Sequence, residues 1–248
     1  TPQILAKVLE GAGMPRSGFR IEAQASYAPR DYCAQYRESD LDFISRLMED
    51  EGMHYYFEHS EDKHVPVITD RADGGRPIEG EPSLGFTFED GQEHVSRFRL
   101  SEGMRPQRVS LRDKNLHQPD QSMEASEGSG SEREVYDFPG GFQETGKGGP
   151  HKGGQQARIR LEALQASRRR GGGSSDCPRL VPGFVFTLSD AARSHLEGDY
   201  RIVRVTHHGE QPQALEEGAV GSFRYENEFE CTDKKIPFGQ VALTAYVP

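Results

Sequence analysis

The 248-residue sequence has no apolar run approaching the roughly 20 residues of a membrane-spanning helix. No charged-then-apolar leader precedes Thr1, and because that residue is not Met the chain is expected to be a fragment or a processed form. Cysteine is scarce: Cys33, Cys177 and Cys231 are odd in number and far apart, which excludes a disulfide framework and points to assembly in a reducing cytoplasm. Basic charge is also short. Against 40 acidic side chains stand 30 basic ones, and a net charge of −10 excludes a general polyanion binder, because phosphate neutralisation supplies most non-specific nucleic-acid affinity. Only a local basic patch stays open. Apolar residues are 33% of the chain, while 28 Gly and 15 Pro imply many turns. Either the polypeptide is loop-rich, or other subunits complete its apolar surface.

Catalytic signatures are missing as well. There is no G-x-S-x-G elbow, no H-E-x-x-H and no pattern around a cysteine that marks a nucleophile. The stretch GGFQETGKGG, Gly140 to Gly149, nearly forms a phosphate-binding loop, but Gly148 stands where a magnesium-ligating Ser or Thr is needed. Pro150 and the surrounding glycines separate Lys147 from the next helical pattern, so the stretch reads as a loop. His54, His59 and His64 recur every five residues, and His207–His208 precede Cys231 at a distance; neither has zinc-ligand spacing. On a strand, His54 and His59 point to opposite faces. No metal and no cofactor is expected.

What is present reads as an α+β chain with a strand-rich second half. Thr1 and Pro2 open a helix with Ile4, Leu5, Val8 and Leu9 on one face and Gly11 as its stop. FRIEAQ and DYCAQY read as strands, the second from the alternation of Tyr32, Ala34 and Tyr36. A second helix follows, capped by Ser39 with Asp42 at capping-box spacing, buried through Leu41, Ile44, Leu47 and Met48, and stopped at Gly52. MHYYFEH and VPVITD pair as strands. Beyond Arg105, RVSLRD, EVYDF, FVFTL, YRIVRVTHH and SFRYENEFEC are strands, interrupted by a helix near Gln155–Ser167 with Ala157, Leu161 and Leu164 on one face. Glycine-heavy stretches near Glu127–Glu132 and Arg168–Asp176 read as mobile loops, and RRRGGG within the second as a solvated basic run. The working division is an α+β domain, 1–104, followed by a β-barrel-like domain, 105–248.

The most informative stretch is RDYCAQYRESDLDFISRLMEDEGMHYYFEH, Arg30 to His59. It resembles the signature of the VgrG family, spike proteins of type VI secretion systems related to the hub proteins of contractile phage tails. The likeness runs through Arg30, Tyr32, Cys33, Gln35, Tyr36, Arg37, Glu38, Ser39, Asp40, Asp42, Phe43, Arg46, Leu47, Glu49, Glu51 and Gly52. RPQRVSLRDKNLHQP, YDFPGGF, ARIRLEAL, CPRLVPGFVFTL and EGDYRIVRVTHH resemble later family segments in the same order. The signature is read as structural: Tyr32, Phe43, Ile44 and Leu47 as core, Cys33 as a small buried hydrophobe, and Arg37, Glu38 and Asp40 as ion-pair or helix-end residues.

The resemblance implies a phage-tail-hub-like fold forming a homotrimer, without enzymatic activity. It implies docking on an Hcp-like tube hexamer, with baseplate proteins, a spike-tip protein and an effector or effector chaperone as further partners. A trimer can meet a hexamer if each subunit offers two similar barrel-like domains. Such a protein assembles in the cytoplasm and is then secreted or translocated. Family members carry an upstream barrel segment and a downstream barrel and needle, so these residues are expected to be the hub base. A prophage contractile-tail hub is the alternative from the same architecture; an effector enzyme or nucleotide hydrolase is the disfavoured one.

Overall fold

The computed structural model describes residues 1–30, 32–71, 75–86, 92–115, 120–142, 152–191, 193–211 and 223–236. In chain order the elements are α1 (Pro2–Gly11), β1 (Arg20–Glu22), α2 (Asp40–Glu51), β2 (His54–His59), β3 (His64–Thr69), β4 (Ser83–Gly85) and β5 (Val95–Glu102). Then come β6 (Arg108–Lys114), β7 (Ser122–Gly128), β8 (Glu134–Asp137), α3 (Gly153–Gln165), β9 (Arg169–Ser175), β10 (Val185–Ser189), β11 (Gly198–Glu210) and β12 (Arg224–Asp233). The fold is α+β and rich in sheet.

Two compact units share the described residues, 1–71 with 104–168 and 75–103 with 169–236. They interleave along the chain, where the sequence reading set one half after the other at residue 105. The reason lies in β4 and β5, which hydrogen-bond into one sheet with β9 to β12. Phe98 and Leu100 of β5 find their apolar cover there, packed on the core of β10, β11 and β12.

The first unit holds two small sheets. In the order β1-β3-β2, β1 runs parallel and β2 antiparallel to β3. Leu5 of α1 and Phe43, Ile44, Leu47 and Met48 of α2 pack with Met53 and Ile68 into one core. Leu41, expected in that stripe, is 59% exposed, and Phe43 takes the buried position. By the 3.6-residue period Leu41 lines up with Met48 at one edge of the stripe, but it stands in the first turn and is exposed there, while Phe43 lines up with Leu47 and is buried. The second small sheet has the order β7-β6-β8, and α3 covers it through Ala157 and Leu161, against Val109, Leu111, Met123 and Phe142. Of GGFQETGKGG only Gly140–Phe142 are described, with Phe142 buried in that core; Lys147 lies outside the described residues.

The second unit is a six-stranded sheet, β4-β10-β11-β12-β9-β5, whose two edge strands are joined at one end by a bridge between Gly85 and His94. Its core is aromatic: Phe98 lies 5.0 Å from Tyr200, and Phe186 meets Phe229 edge-on at 5.3 Å between centroids. The glycine run expected as a mobile, solvated loop is β9, an interior strand paired with both β5 and β12. Close approach of those neighbours, by side chain and by backbone, explains its composition. A Cβ on Gly171 would come within 2.6 Å of Cys231 Sγ, and one on Gly173 within 2.0 Å of the Arg97 carbonyl. The other glycine-heavy stretch, 127–132, begins as the end of β7 and continues as a turn.

Candidate functional site

The signature residues gather around α2. Ser39 is its N-cap: the Asp42 N–H donates to Ser39 Oγ at 3.2 Å, and Ser39 Oγ donates to Asp42 Oδ2 at 2.7 Å. The shorter acid thus closes on the capping hydroxyl instead of the cap's backbone N–H. Asp40 and Asp42 place negative charge in the first turn, where the helix dipole favours it. At the other end Gly52 adopts φ 69°, and the Met53 N–H reaches the Met48 carbonyl at 2.8 Å, so the last carbonyls are satisfied.

Two arginines clasp the helix to the segments before it. Arg46 forks onto Glu38, with Nη2 2.6 Å from Oε1 and Nε 3.2 Å from Oε2, and Nη2 also donates to the Ala34 carbonyl at 3.3 Å. Its guanidinium carbon lies 5.4 Å from the Phe43 ring centre. The hydrogen bond from Arg46 holds the Glu38 carboxyl below its ordinary range, against the opposing effect of burial. Gln35 Nε2 donates to the Glu38 carbonyl at 3.1 Å and to Asp40 Oδ1 at 2.8 Å. At the C-terminal end, Arg30 donates from Nη1 to Asp50 Oδ2 at 3.2 Å and from Nη2 to Glu51 Oε1 at 3.0 Å. Glu51 is buried, and Thr1 Oγ1 donates to the same Oε1 at 2.6 Å. A cation at a helix C-terminus and a buried carboxylate thus satisfy each other.

Among the described residues, 32–36 of the clasped segment lie in no strand, in place of the strand expected for DYCAQY; Asp31 lies outside them. Alternation alone does not make a strand: the backbone here is fixed by side chains of Gln35 and Arg46, and Arg37 takes a left-handed φ of 53°. Tyr32 and Tyr36, read as core or strand residues, are 85% and 73% exposed, and Cys33 is exposed too. Arg37 lies over the Tyr36 ring at 5.2 Å. Of the expected site residues, Phe43 and Leu47 are core, Ser39 and Gly52 end the helix, and Arg30, Gln35, Glu38, Asp40, Asp42 and Arg46 bond one another or nearby backbone. What sequence reasoning missed is the outward display of Tyr32 and Tyr36; the only signal for it is that their neighbours are all polar or small.

Elsewhere, His59 and His64 face each other across β2 and β3, Nδ1 to Nδ1 2.8 Å, while His54 is buried at the far end of β2. Among the described residues no three His, Cys, Asp or Glu side chains converge as metal ligands do. No helix among them is long and apolar enough to cross a membrane.

Residues 1–213 match the family model described as phage tail baseplate hub (GPD). The chain belongs to the phage tail baseplate hub family. This hub chain is 36% identical over 252 aligned residues to type VI secretion system spike protein VgrG5 of Pseudomonas aeruginosa, covering 93% of the chain and 31% of the relative. It is 33% identical to spike protein VgrG4b of the same organism, covering 88% and 28%. It therefore spans about a third of the length of these curated relatives. Among solved structures, its fold is like that of the Escherichia coli c3393 protein, described as a type VI secretion component similar to the phage T4 tail proteins gp27 and gp5. The TM-score there is 0.60, at 20% identity, with 100% of this chain and 50% of that one covered. It is also like the 43 kDa tail protein of prophage MuSo2 from Shewanella oneidensis, with a TM-score of 0.59 at 13% identity, covering 96% and 66%.

Proposed function

We propose that this hub-family chain is the structural base of a type VI secretion spike and works without catalysis. The observation that carries the reading is the hub-family match over residues 1–213, joined to 36% and 33% identity with two spike proteins. In this reading three copies surround an axis and dock on an Hcp-like tube hexamer, and the six-stranded sheet acts as one of the barrel-like domains facing the tube. Baseplate proteins, a spike-tip protein and an effector or its chaperone are the further partners. Assembly takes place in the cytoplasm, and the assembled spike is then translocated. The signature serves as a brace: Arg30 and Arg46 fix the ends of α2, and the clasped segment offers Tyr32 and Tyr36 to a neighbouring subunit. Exposed tyrosines are favoured at interfaces, where the ring is covered and the hydroxyl keeps a partner.

An obligate assembly of this kind buries upward of about 2,000 Å² per interface. Sedimentation of the full-length protein at micromolar concentration tests the reading. A trimer is expected, and a clean monomer would sink it. A prophage tail hub is the second reading, favoured by the likeness to the MuSo2 tail protein. Sheath and tube genes of secretion type beside this gene decide for the spike, and phage-type neighbours decide for the tail.

A further inference from the structure

The outer face of the six-stranded sheet carries a feature that a hub role leaves unused. Arg97, Arg99 and Ser101 of β5 alternate with the core residues Phe98 and Leu100, so all three face away from the core. Across the ladder, Arg99 pairs with Gly172 and Ser101 with Arg170; one strand further, Gly172 pairs with Glu230. Gly172 therefore leaves an unfilled slot between Arg99 and Glu230, open on a groove of about 540 Å³. A Cβ there would meet only the Phe229 carbonyl, at 3.3 Å, unlike the obstructed positions at Gly171 and Gly173.

The charges on this face fall in columns. Arg97 reaches Glu228 at 3.5 Å and Arg204 reaches Glu230 at 3.9 Å. Arg99 and Arg170, diagonal neighbours on the two strands, form no ion pair among the described residues, and both are exposed. Diagonal neighbours in a sheet stand about 7–8 Å apart, close enough for both forks to reach one ligand. Guanidinium forks match carboxylates in two-point contacts.

We propose that this groove binds an extended acidic peptide segment of a partner protein. One carboxylate is held by Arg99 and Arg170 over the bare backbone of Gly172. An acidic peptide fits better than a nucleic acid. Glu230 lines the groove itself and Glu228 lies beside it, each already paired with an arginine; the slot can take one carboxylate but not a phosphate chain charged at every residue, whereas a peptide can alternate acidic with neutral side chains. The chain's net charge of −10 likewise disfavours a polyanion anywhere but on a short patch. The site is independent of the spike reading and would exist equally in a phage hub.

The test is fluorescence anisotropy on the full 248-residue chain with a labelled, capped Glu-Ser-Glu-Ser-Glu-Ser peptide at low salt. The matching Gln-Ser peptide, a twelve-nucleotide single strand and inorganic phosphate serve as competitors. The acidic peptide should bind, and the Gln-Ser peptide should not displace it. The double variant Arg99→Gln with Arg170→Gln should weaken binding by at least about tenfold, as loss of charge-assisted pairs does. Arg112→Gln, an exposed arginine of β6 in a different sheet, should change it less than twofold. Hydrogen exchange on the unaltered protein should show added protection in 97–101 and 170–173, a readout that needs no variant to fold. Equal binding by the double variant, absence of that protection, no binding at all, or tighter binding of the oligonucleotide or phosphate each overturns the proposal.

Discussion

Arg46 grips Glu38 from nearly two turns inside α2, with Nη2 2.6 Å and Nε 3.2 Å from the two carboxylate oxygens. The pair is mostly shielded, and its two-point geometry is specific to a guanidinium fork. Arg46→Lys keeps the charge but loses the fork and the bond to the Ala34 carbonyl. We expect it to cost about 1 kcal/mol in denaturant unfolding. In an Arg46→Gln background, where neither the fork nor the charge remains, removing the Glu38 charge should add little, because the coupled term is already gone. A fully additive double variant would show that the two side chains act separately.

Gly52 ends α2 in a left-handed turn, and an added Cβ would stand 3.0 Å from Ile159 Cγ1 of α3. Gly52→Ala therefore meets both backbone strain and a packed side chain, and should destabilise by about 1–3 kcal/mol. In an Ile159→Ala background, which lacks the Cγ1, Cδ1 and Cγ2 atoms nearest that Cβ, only the backbone strain remains. The Gly52→Ala step should then lower the melting temperature by a few degrees less than it does beside the native Ile159.

Ser39 and Gly52 were legible in the sequence because cap chemistry is local: a hydroxyl, an acid three residues on and a glycine specify both helix ends without distant partners. The β2–β3 pairing was legible for the same reason, joined as it is by a short turn. The clasp was not. Tyr32 and Tyr36 share the period of a strand, but whether a strand forms depends on a partner backbone, and here Arg46 and Gln35 supply side-chain donors instead. β9 was illegible for a stronger reason. Its glycines answer to Phe98, Phe229 and Cys231, which lie more than fifty residues away in sequence, so composition alone reads them as loop.

That reading of β9 makes a sharp contrast testable. Gly173→Ala would drive a Cβ to 2.0 Å from the Arg97 carbonyl and 3.0 Å from Phe229 Cζ, forcing β5 and β9 apart. A loss of about 3 kcal/mol is expected, in the upper range for overpacking. Gly172→Ala, one residue away on the open face, should stay within about 1 kcal/mol. Equal effects on the urea midpoint would mean that β9 is not an interior strand.

Cysteine accessibility separates the exposed segment from the second core. Cys33 is exposed, while Cys177 and Cys231 are buried. Burial, with Glu93 beside it, pushes the Cys177 thiol up to about 12, and burial raises Cys231 further. Brief iodoacetamide treatment of the native chain should add one label, on Cys33, and treatment in denaturant should add three. Native labelling of Cys177 or Cys231 in peptide mass spectra would contradict the sheet core.

Asp70, which follows β3, ties down the chain leaving β1. It accepts from the Gln24 and Ala25 N–H groups at 2.9 Å and 2.7 Å and from the Tyr27 hydroxyl at 2.8 Å. Burial alone would raise its carboxyl, yet these three donors outweigh it and hold the group below its ordinary 3.8. A folded-state value below the unfolded one means that the stabilisation is complete above about pH 4–5 and fades as pH falls through the folded value. Asp70→Asn presents an N–H₂ group to donors already facing it, so at pH 7 it should cost about 1–3 kcal/mol. As pH falls below about 4 the unfolded state takes up a proton that the native carboxyl resists, so the gap between variant and native urea midpoints should narrow. A gap that stays constant from pH 7 to pH 3 would show that the charge on Asp70 contributes nothing, leaving shape alone to account for the loss.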